Sequence, residues 1–146
     1  MGTTAVSAAI FLAATALAGC AAPERFTLAG TSWRLVSIQS MDDAQGTTPV
    51  PDPAKFTVAF GKDSQASFQL DCNRGSGTYQ ASPSSDGVSG SLTFGPIAAT
   101  LMMCPQPSLD QTVSLALPHV RGYLYKDGHL HLSQQADGGI LSWERD

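Results

Sequence analysis

Asp71-Cys72-Asn73-Arg74-Gly75-Ser76-Gly77 decides how the rest of the chain is read. Ahead of it, Ala66, Phe68, Leu70 and Cys72 alternate with Ser67, Gln69 and Asp71. A period of two gives a strand one covered face, with Cys72 as its last inward residue. Past Cys72 the apolar alternation stops, and two glycines follow Asn73-Arg74. Asn and Gly enter positive φ at little steric cost, so a turn or bulge is expected here. Cys72 has one partner to consider, Cys104, at the end of Ala98-Ala99-Thr100-Leu101-Met102-Met103-Cys104. That apolar run is expected to pack inward, carrying Cys104 with it.

Upstream, Leu28 to Ile38 holds a turn and then a strand with Trp33 and Leu35 on one face. Met41 to Ala54 is polar and proline-rich and reads as a loop. Phe56-Thr57-Val58-Ala59-Phe60 alternates again, and Gly61-Lys62-Asp63 turns the chain back. Downstream, Tyr79-Gln80-Ala81 extends a strand, Ser82 to Ser91 is a Ser/Gly-rich loop around Asp86-Gly87, and Leu92-Thr93-Phe94 is a short strand. Ser108 reads as an N-cap, with Gln111 three residues on as in a capping box. The helix then runs from Leu109 to about Leu117. Leu109, Val113, Ala116, Leu117 and Val120 share its buried face, and Pro118 ends or kinks it. Tyr123-Leu124-Tyr125, His129-Leu130-His131-Leu132 and Ile140-Leu141-Ser142-Trp143 are strands joined by Lys126-Asp127-Gly128 and Asp137-Gly138-Gly139. The count is seven or eight short strands, with one helix inserted before the final hairpin: a mainly β, α+β chain.

Twelve acidic and eight basic side chains leave 146 residues with a net charge of −4, all of it after residue 20. One domain with a proper core fits this length. Nucleic-acid binding needs a basic surface to neutralise phosphates, and none is present, so no nucleic-acid partner is expected.

Residues 1–20 carry no charged side chain and run through Ala-Ala-Ile-Phe-Leu-Ala-Ala-Thr-Ala-Leu-Ala-Gly-Cys. The apolar part is shorter than the roughly 20 residues of a membrane span and reads as an export signal over 1–19, although no Lys or Arg precedes it. Leu17-Ala18-Gly19-Cys20 resembles the lipobox of bacterial lipoproteins. The resemblance implies cleavage before Cys20, a diacylglycerol on its thiol and acylation of its new amine. Residues 20–27 then form a tether, and the domain, beginning near Phe26, is taken as residues 28–146. Two or three acyl chains would hold the protein to a membrane durably, where one holds it only marginally. Ala21 after the cysteine implies, by Gram-negative sorting, an outer-membrane lipoprotein facing the periplasm. With Cys20 lipidated, two thiols remain in an oxidising compartment, and a Cys72–Cys104 disulfide is expected. Two free buried thiols are the alternative if the domain folds in the cytosol.

The order Thr31-Ser32-Trp33, Asp71-Cys72-Asn73-Arg74 with Gly77 and Tyr79, Leu92-Thr93-Phe94-Gly95-Pro96, and Ala99-Thr100-Leu101-Met102-Met103-Cys104-Pro105 resembles the META domain, also called HslJ-like. The likeness continues through Asp110–Leu117, Gly128–Leu132 and Leu141-Ser142-Trp143 and covers about residues 28–145. This chain departs from the family at Leu101, where Arg is frequent, at Asp110, where Glu is usual, and at Pro118 within the helix. The resemblance implies a compact, mostly antiparallel barrel-like sheet with a helix packed on it, in a bacterial and often lipid-anchored protein. It also implies a tie to stress, since the named member is heat-inducible. Related trypanosomatid domains are linked to virulence. No catalytic or cofactor-binding residue comes with the family.

Enzymatic constellations are sparse. Cys72 has no neighbouring His or cation in sequence to make it a reactive thiol. Asp71, Ser76 and His119 can be drawn as a triad, but no nucleophile-elbow motif supports it. Asp42-Asp43 reads as a solvated loop pair rather than an acid and base. His129 and His131 share a strand face and would need a third ligand such as His119 to hold zinc. Gly75-Ser76-Gly77 lacks the spacing of a phosphate loop. The expectation is therefore no enzyme, no cofactor and no metal. The chain reads as an envelope lipoprotein that binds a protein or ligand in support of envelope or stress functions. A small apolar ligand carrier and a cell-surface hydrolase are the alternatives. A barrel interior packed with Phe56, Phe60, Phe68 and Trp143 favours the first over the carrier. Met41–Ala54 and Ser82–Gly90 are the expected partner-binding loops.

Overall fold

The computed structural model describes residues 1–2, 19–20 and 24–146. The signal expected over 1–19 therefore lies, but for its ends, outside the described residues, as do Ala21 to Pro23 of the tether. Among the described residues no helix is long and apolar enough to cross a membrane.

Among the described residues ten strands and one α-helix follow in the order β1 (Thr31–Gln39), β2 (Thr47–Pro49), β3 (Phe56–Phe60), β4 (Gln65–Leu70), β5 (Asn73–Pro83), β6 (Ser89–Phe94), β7 (Ala98–Ala99), α1 (Asp110–Ala116), β8 (Val120–Lys126), β9 (His129–Gln134) and β10 (Ile140–Arg145). The order across the sheet is β10-β9-β8-β6-β5-β4-β3-β1-β2, and β10 also pairs with β1. With β2 and β7 set aside as short flaps, eight antiparallel strands close on themselves, leaving no free edge around the barrel. The helix is inserted before the final strands, β8 to β10, as expected.

Alternation builds the interior. Trp33 and Leu35, Phe56, Val58 and Phe60, Ala66, Phe68 and Leu70, Leu130 and Leu132, and Leu141 and Trp143 all point inward and are buried. The barrel is thus filled by its own side chains, Phe56, Phe60, Phe68 and Trp143 among them. The indole N–H of Trp143 is buried without an acceptor.

Register divides the molecule into two ends. Phe56 faces Leu70, Gln39 faces Ile140 and Val120 faces Gln134. These positions share one end with the β4–β5 turn and α1, here the helix end. The β3–β4, β5–β6 and β8–β9 turns lie at the other. The chain enters there, where Phe26 donates its N–H to Gly87 O at 2.8 Å and stacks on Tyr125 at 4.3 Å. Phe26, which falls within the tether expected over 20–27, is thus docked on the barrel.

Four local expectations change. Leu70 pairs with Asn73, so Asp71 and Cys72 form a two-residue hairpin loop, and Cys72 is not the last inward strand residue. Asp71 takes a φ of 59°, which a short polar side chain tolerates. Second, Asn73-Arg74-Gly75-Ser76-Gly77 is no turn: it is the first half of β5, with Asn73 and Tyr79 buried and the two glycines between them. A Cβ at Gly77 would meet Pro96 O at 2.8 Å, and one at Gly75 would meet Ile97 Cγ2 at 3.2 Å. The glycines are there to let residues 96–99 cross closely against β5. Third, β5 and β6 run well into the Ser82–Ser91 segment, pairing Ser82 with Ser91 and Pro83 with Gly90, so only a tight turn around Asp86-Gly87 remains. Likewise Met41–Ala54 is not all loop, since it carries β2 and buries Val50.

Candidate functional site

The helix end is assembled around Asp71, Cys72 and Asn73. Asp71 accepts a hydrogen bond from the Ser108 hydroxyl at 2.6 Å, lies 3.8 Å from Lys55 Nζ, and donates its N–H to Lys55 O at 2.8 Å. One residue thereby ties the start of β3, the β4–β5 loop and the entrance to α1. The Ser108 hydroxyl also accepts the Asp110 N–H at 3.2 Å. Ser108 thus caps the helix from one position further out than expected, because α1 starts at Asp110 with Leu109 at its N-cap. Gln111 does not complete a capping box. Val113, Ala116 and Leu117 do face the core, and Pro118 sits in the single 3-10 turn that ends the helix.

Cys72 and Cys104 are joined as a disulfide with a Cα–Cα distance of 5.5 Å. Asn73 next to it uses its amide as a surrogate strand. Its Oδ1 accepts the Met102 N–H at 2.7 Å and the Thr100 hydroxyl at 2.9 Å, and its Nδ2 donates to Met102 O at 2.9 Å. A longer contact, 3.4 Å, links Nδ2 to the carboxylate of Asp110, which is 9% exposed. Thr100 donates its N–H to Arg74 O at 2.9 Å and its hydroxyl accepts the Arg74 N–H at 3.0 Å. The loop over 100–104 is thus fixed by one covalent bond and a run of hydrogen bonds.

What this frame holds up is apolar. Leu101 is 96% exposed, Met102 63% and Met103 94%, and Leu115 on α1 is 71% exposed. The expectation that Ala98 to Met103 packs inward fails; Cys104 alone of residues 98–104 is buried. The reason is geometric. The segment crosses the end of the barrel, and its backbone partner, Asn73, leaves the side chains to solvent. Between this loop and α1 lies a cleft of about 200 Å³ whose walls include Leu70, Asn73, Met102, Gln111 and Ser114. A signal for this was in the sequence. Three consecutive apolar residues cannot all face one side of a strand, and between Arg74 and Arg121 the chain carries only two charged side chains, Asp86 and Asp110.

The other residues that the sequence singles out are scattered over the barrel. Asp71 is engaged as above, Ser76 is exposed in mid-β5 opposite Ser67 and Ala98, and His119 Nδ1 sits 3.1 Å from Gln135 Nε2. They form no relay. His129 and His131 stack at 6.2 Å on the outer face of β9, but His119 belongs to the opposite end of the barrel. His129 Nδ1 lies 3.0 Å from Asp127 O and His131 Nδ1 2.9 Å from the Ser142 hydroxyl. Partial burial, and then the neighbouring His129, hold His131 below the usual imidazole pKa. Among the described residues no three His, Cys, Asp or Glu side chains are placed to hold a metal. At the entry end, burial and then Asp63 raise the Tyr79 phenol, and burial and then Asp86 raise that of Tyr123. The Ser89 hydroxyl and N–H lower the Asp86 carboxyl. Cys20 is exposed and unpaired.

A solved structure of a DUF4847 family protein from Bacteroides vulgatus ATCC 8482 superposes with a TM-score of 0.52. It covers 82% of this chain and 94% of its own at 15% identity, a likeness of fold alone. No curated protein matches the chain. The META domain family profile matches residues 26–146, from the docked Phe26 to the end. That span takes in the whole barrel, the Cys72–Cys104 frame and α1, and the chain belongs to the META domain family.

Proposed function

We propose that this protein is a non-catalytic binding module, tethered to a membrane of the cell envelope through lipid on Cys20, that engages its partner with the helix end. One observation carries the binding surface: Leu101, Met102 and Met103 are exposed and yet held in place by a disulfide and by Asn73. Contiguous exposed apolar side chains cost solubility and mark interaction sites, and methionine adapts to the shape of what it meets. Fixing the loop in advance lowers the ordering entropy lost on binding. The tether rests on Leu17-Ala18-Gly19-Cys20 behind an apolar run, and Ala21 supports an outer-membrane position facing the periplasm, where envelope or stress support would be exerted. A carrier is less well supported because the barrel interior is occupied by its own side chains. A hydrolase is less well supported because Asp71, Ser76 and His119 lie apart, Asp71 bonded to Ser108 and His119 beside Gln135.

Two measurements test this. Mass spectrometry of the mature N-terminus is expected to find Cys20 as residue one, carrying acyl chains; an unmodified terminus elsewhere rules out the tether. Photoreactive residues at Leu101, Met103 and Leu115, set against one at Gln80 on the barrel wall, are expected to give adducts in cells at the helix end only. No adducts, or equal yields at Gln80, would remove the binding surface.

A further inference from the structure

We infer that the occupant of the helix end is a second copy of this chain, docked about a two-fold axis; this rests on the helix end being the binding surface. An isologous interface sets each residue of a patch against its counterpart or against a second residue of the same patch, so it must be self-complementary. The helix end has both halves of such a fit side by side. Leu101 and Met103 project from the loop, and the cleft of about 200 Å³ beside them, walled by Leu70, Gln111 and Ser114, has room for one such side chain. A two-fold rotation places the projecting side chains of one copy in the cleft of the other.

Charge points the same way. A net charge of −4 opposes self-association over most of the surface. The segment from Gly95 to Val120 carries a single charged side chain, Asp110, which is buried against Asn73. Over that segment itself, two copies bring no exposed charged side chain against another. Area reaches the threshold: the exposed parts of the consecutive Leu101, Met102 and Met103 make roughly 500 Å², within the range of the largest patch monomers show. Two such patches come to about 1,000 Å², the size a specific interface should clear.

A lipid surface fits less well. The chain enters at the opposite end of the barrel, at Phe26. The stretch from Cys20 to Phe26 reaches at most about 21 Å, whereas β1, nine residues long, runs about 30 Å from that end toward the loop. An anchor on Cys20 thus attaches at the end of the barrel remote from the loop, so tethering does not itself press the helix end onto the bilayer. No basic cluster flanks the loop to draw it to anionic lipid.

The experiment uses residues 24–146, which contain the entire core and the disulfide, and the full chain in cells. Sedimentation equilibrium is expected to show a monomer–dimer equilibrium, weakened roughly tenfold or more by Met103→Asp, as for a central interface residue, with the melting curve unchanged at a dilution where the parent is monomeric. A photoreactive residue at Met103 in the full chain should give an adduct of twice the monomer mass. A monomer at every concentration, together with an adduct to a different protein, overturns the second copy and leaves the binding surface standing. Sedimentation with phosphatidylcholine/phosphatidylglycerol vesicles by a monomer assigns the end to lipid and overturns the dimer. Absence of any adduct at Met103 overturns both.

Discussion

The two ends of this barrel are closed by different means, and the difference separates folding from function. At the entry end the chain covers the opening with aromatic rings: Phe26 stacks on Tyr125 and meets Trp33 edge-on at 5.9 Å, while Arg145 lies 4.6 Å over the Trp33 ring. The turns around it carry Lys62, Asp63, Asp86, Lys126 and Asp127, all exposed, so this end presents charge to water. At the helix end the closure is covalent and polar underneath, through Cys72–Cys104 and the Asn73 amide, and apolar on the outside. Here the strong bonds hold the backbone, and the side chains stay exposed.

Removing the disulfide should therefore affect the two ends unequally. The bridge spans 32 positions, for which loop-closure entropy gives about 3–4 kcal/mol. Reduction, or the Cys72→Ser, Cys104→Ser pair, is expected to lower unfolding free energy by about that amount, read from denaturant melts. Hydrogen exchange should quicken first over residues 98–109 while Trp33 and its neighbours in β1 stay protected. A melt indifferent to reductant would show that the bridge does not close this end.

Next comes Asn73→Ala. It strands the Met102 N–H and C=O and the Thr100 hydroxyl, and loses the longer contact to Asp110. At about 1 kcal/mol net per bond, with solvent taking over at the exposed Thr100, the expected loss is about 2–3 kcal/mol. The sharper readout is local: the Met102 amide should exchange orders of magnitude faster with the disulfide still formed. An unchanged Met102 amide would leave the covalent bond as the loop's sole restraint. Third, at the entry end, Phe26→Ala gives up one partly buried ring and its stacking, about 1–2 kcal/mol. It should free residues 24–27 to proteolysis while leaving exchange at Met102 untouched. Protection lost at both ends would mean that the barrel cannot treat them separately.

The strands were legible because their information is local. Phe56 to Phe60 and His129 to Leu132 show their buried face by alternation alone, and the helix by the spacing of Val113, Ala116 and Leu117. β5 was missed at its start because Gly75 and Gly77 are inward positions with no side chain to announce them. What fills the space is Ile97, which the sequence places twenty positions or more away. The exposure of Leu101 to Met103 was hidden for a related reason. Apolar composition predicts burial only where there is somewhere to go, and this segment crosses an end already filled by Leu70 and Cys104. Asn73 looked like a turn residue, since its partners, Thr100, Met102 and Asp110, lie 27 to 37 positions on.

The smallest expected effect is the most telling about the helix end. Leu101→Ser with Met103→Ser removes two large apolar side chains, a change that in the core, at Phe68 or Leu70, would cost several kcal/mol through lost burial and a cavity. At positions 96% and 94% exposed there is almost no burial to lose. Surface substitutions away from caps and networks stay within about 0.5 kcal/mol, and both side chains lie outside the Asn73 network, which uses the Thr100 hydroxyl and the Met102 backbone. The double variant should therefore melt within about 0.5 kcal/mol of the parent, by denaturant titration of residues 24–146 at a concentration where the parent is monomeric. At a concentration where copies associate, the parent should gain stability by mass action and the variant should not. A difference that grows with concentration would show that the exposed pair stabilises an assembly, not the fold. A loss of several kcal/mol at high dilution would mean instead that Leu101 and Met103 seal the barrel as Phe26 does, and the contrast between the two ends would disappear.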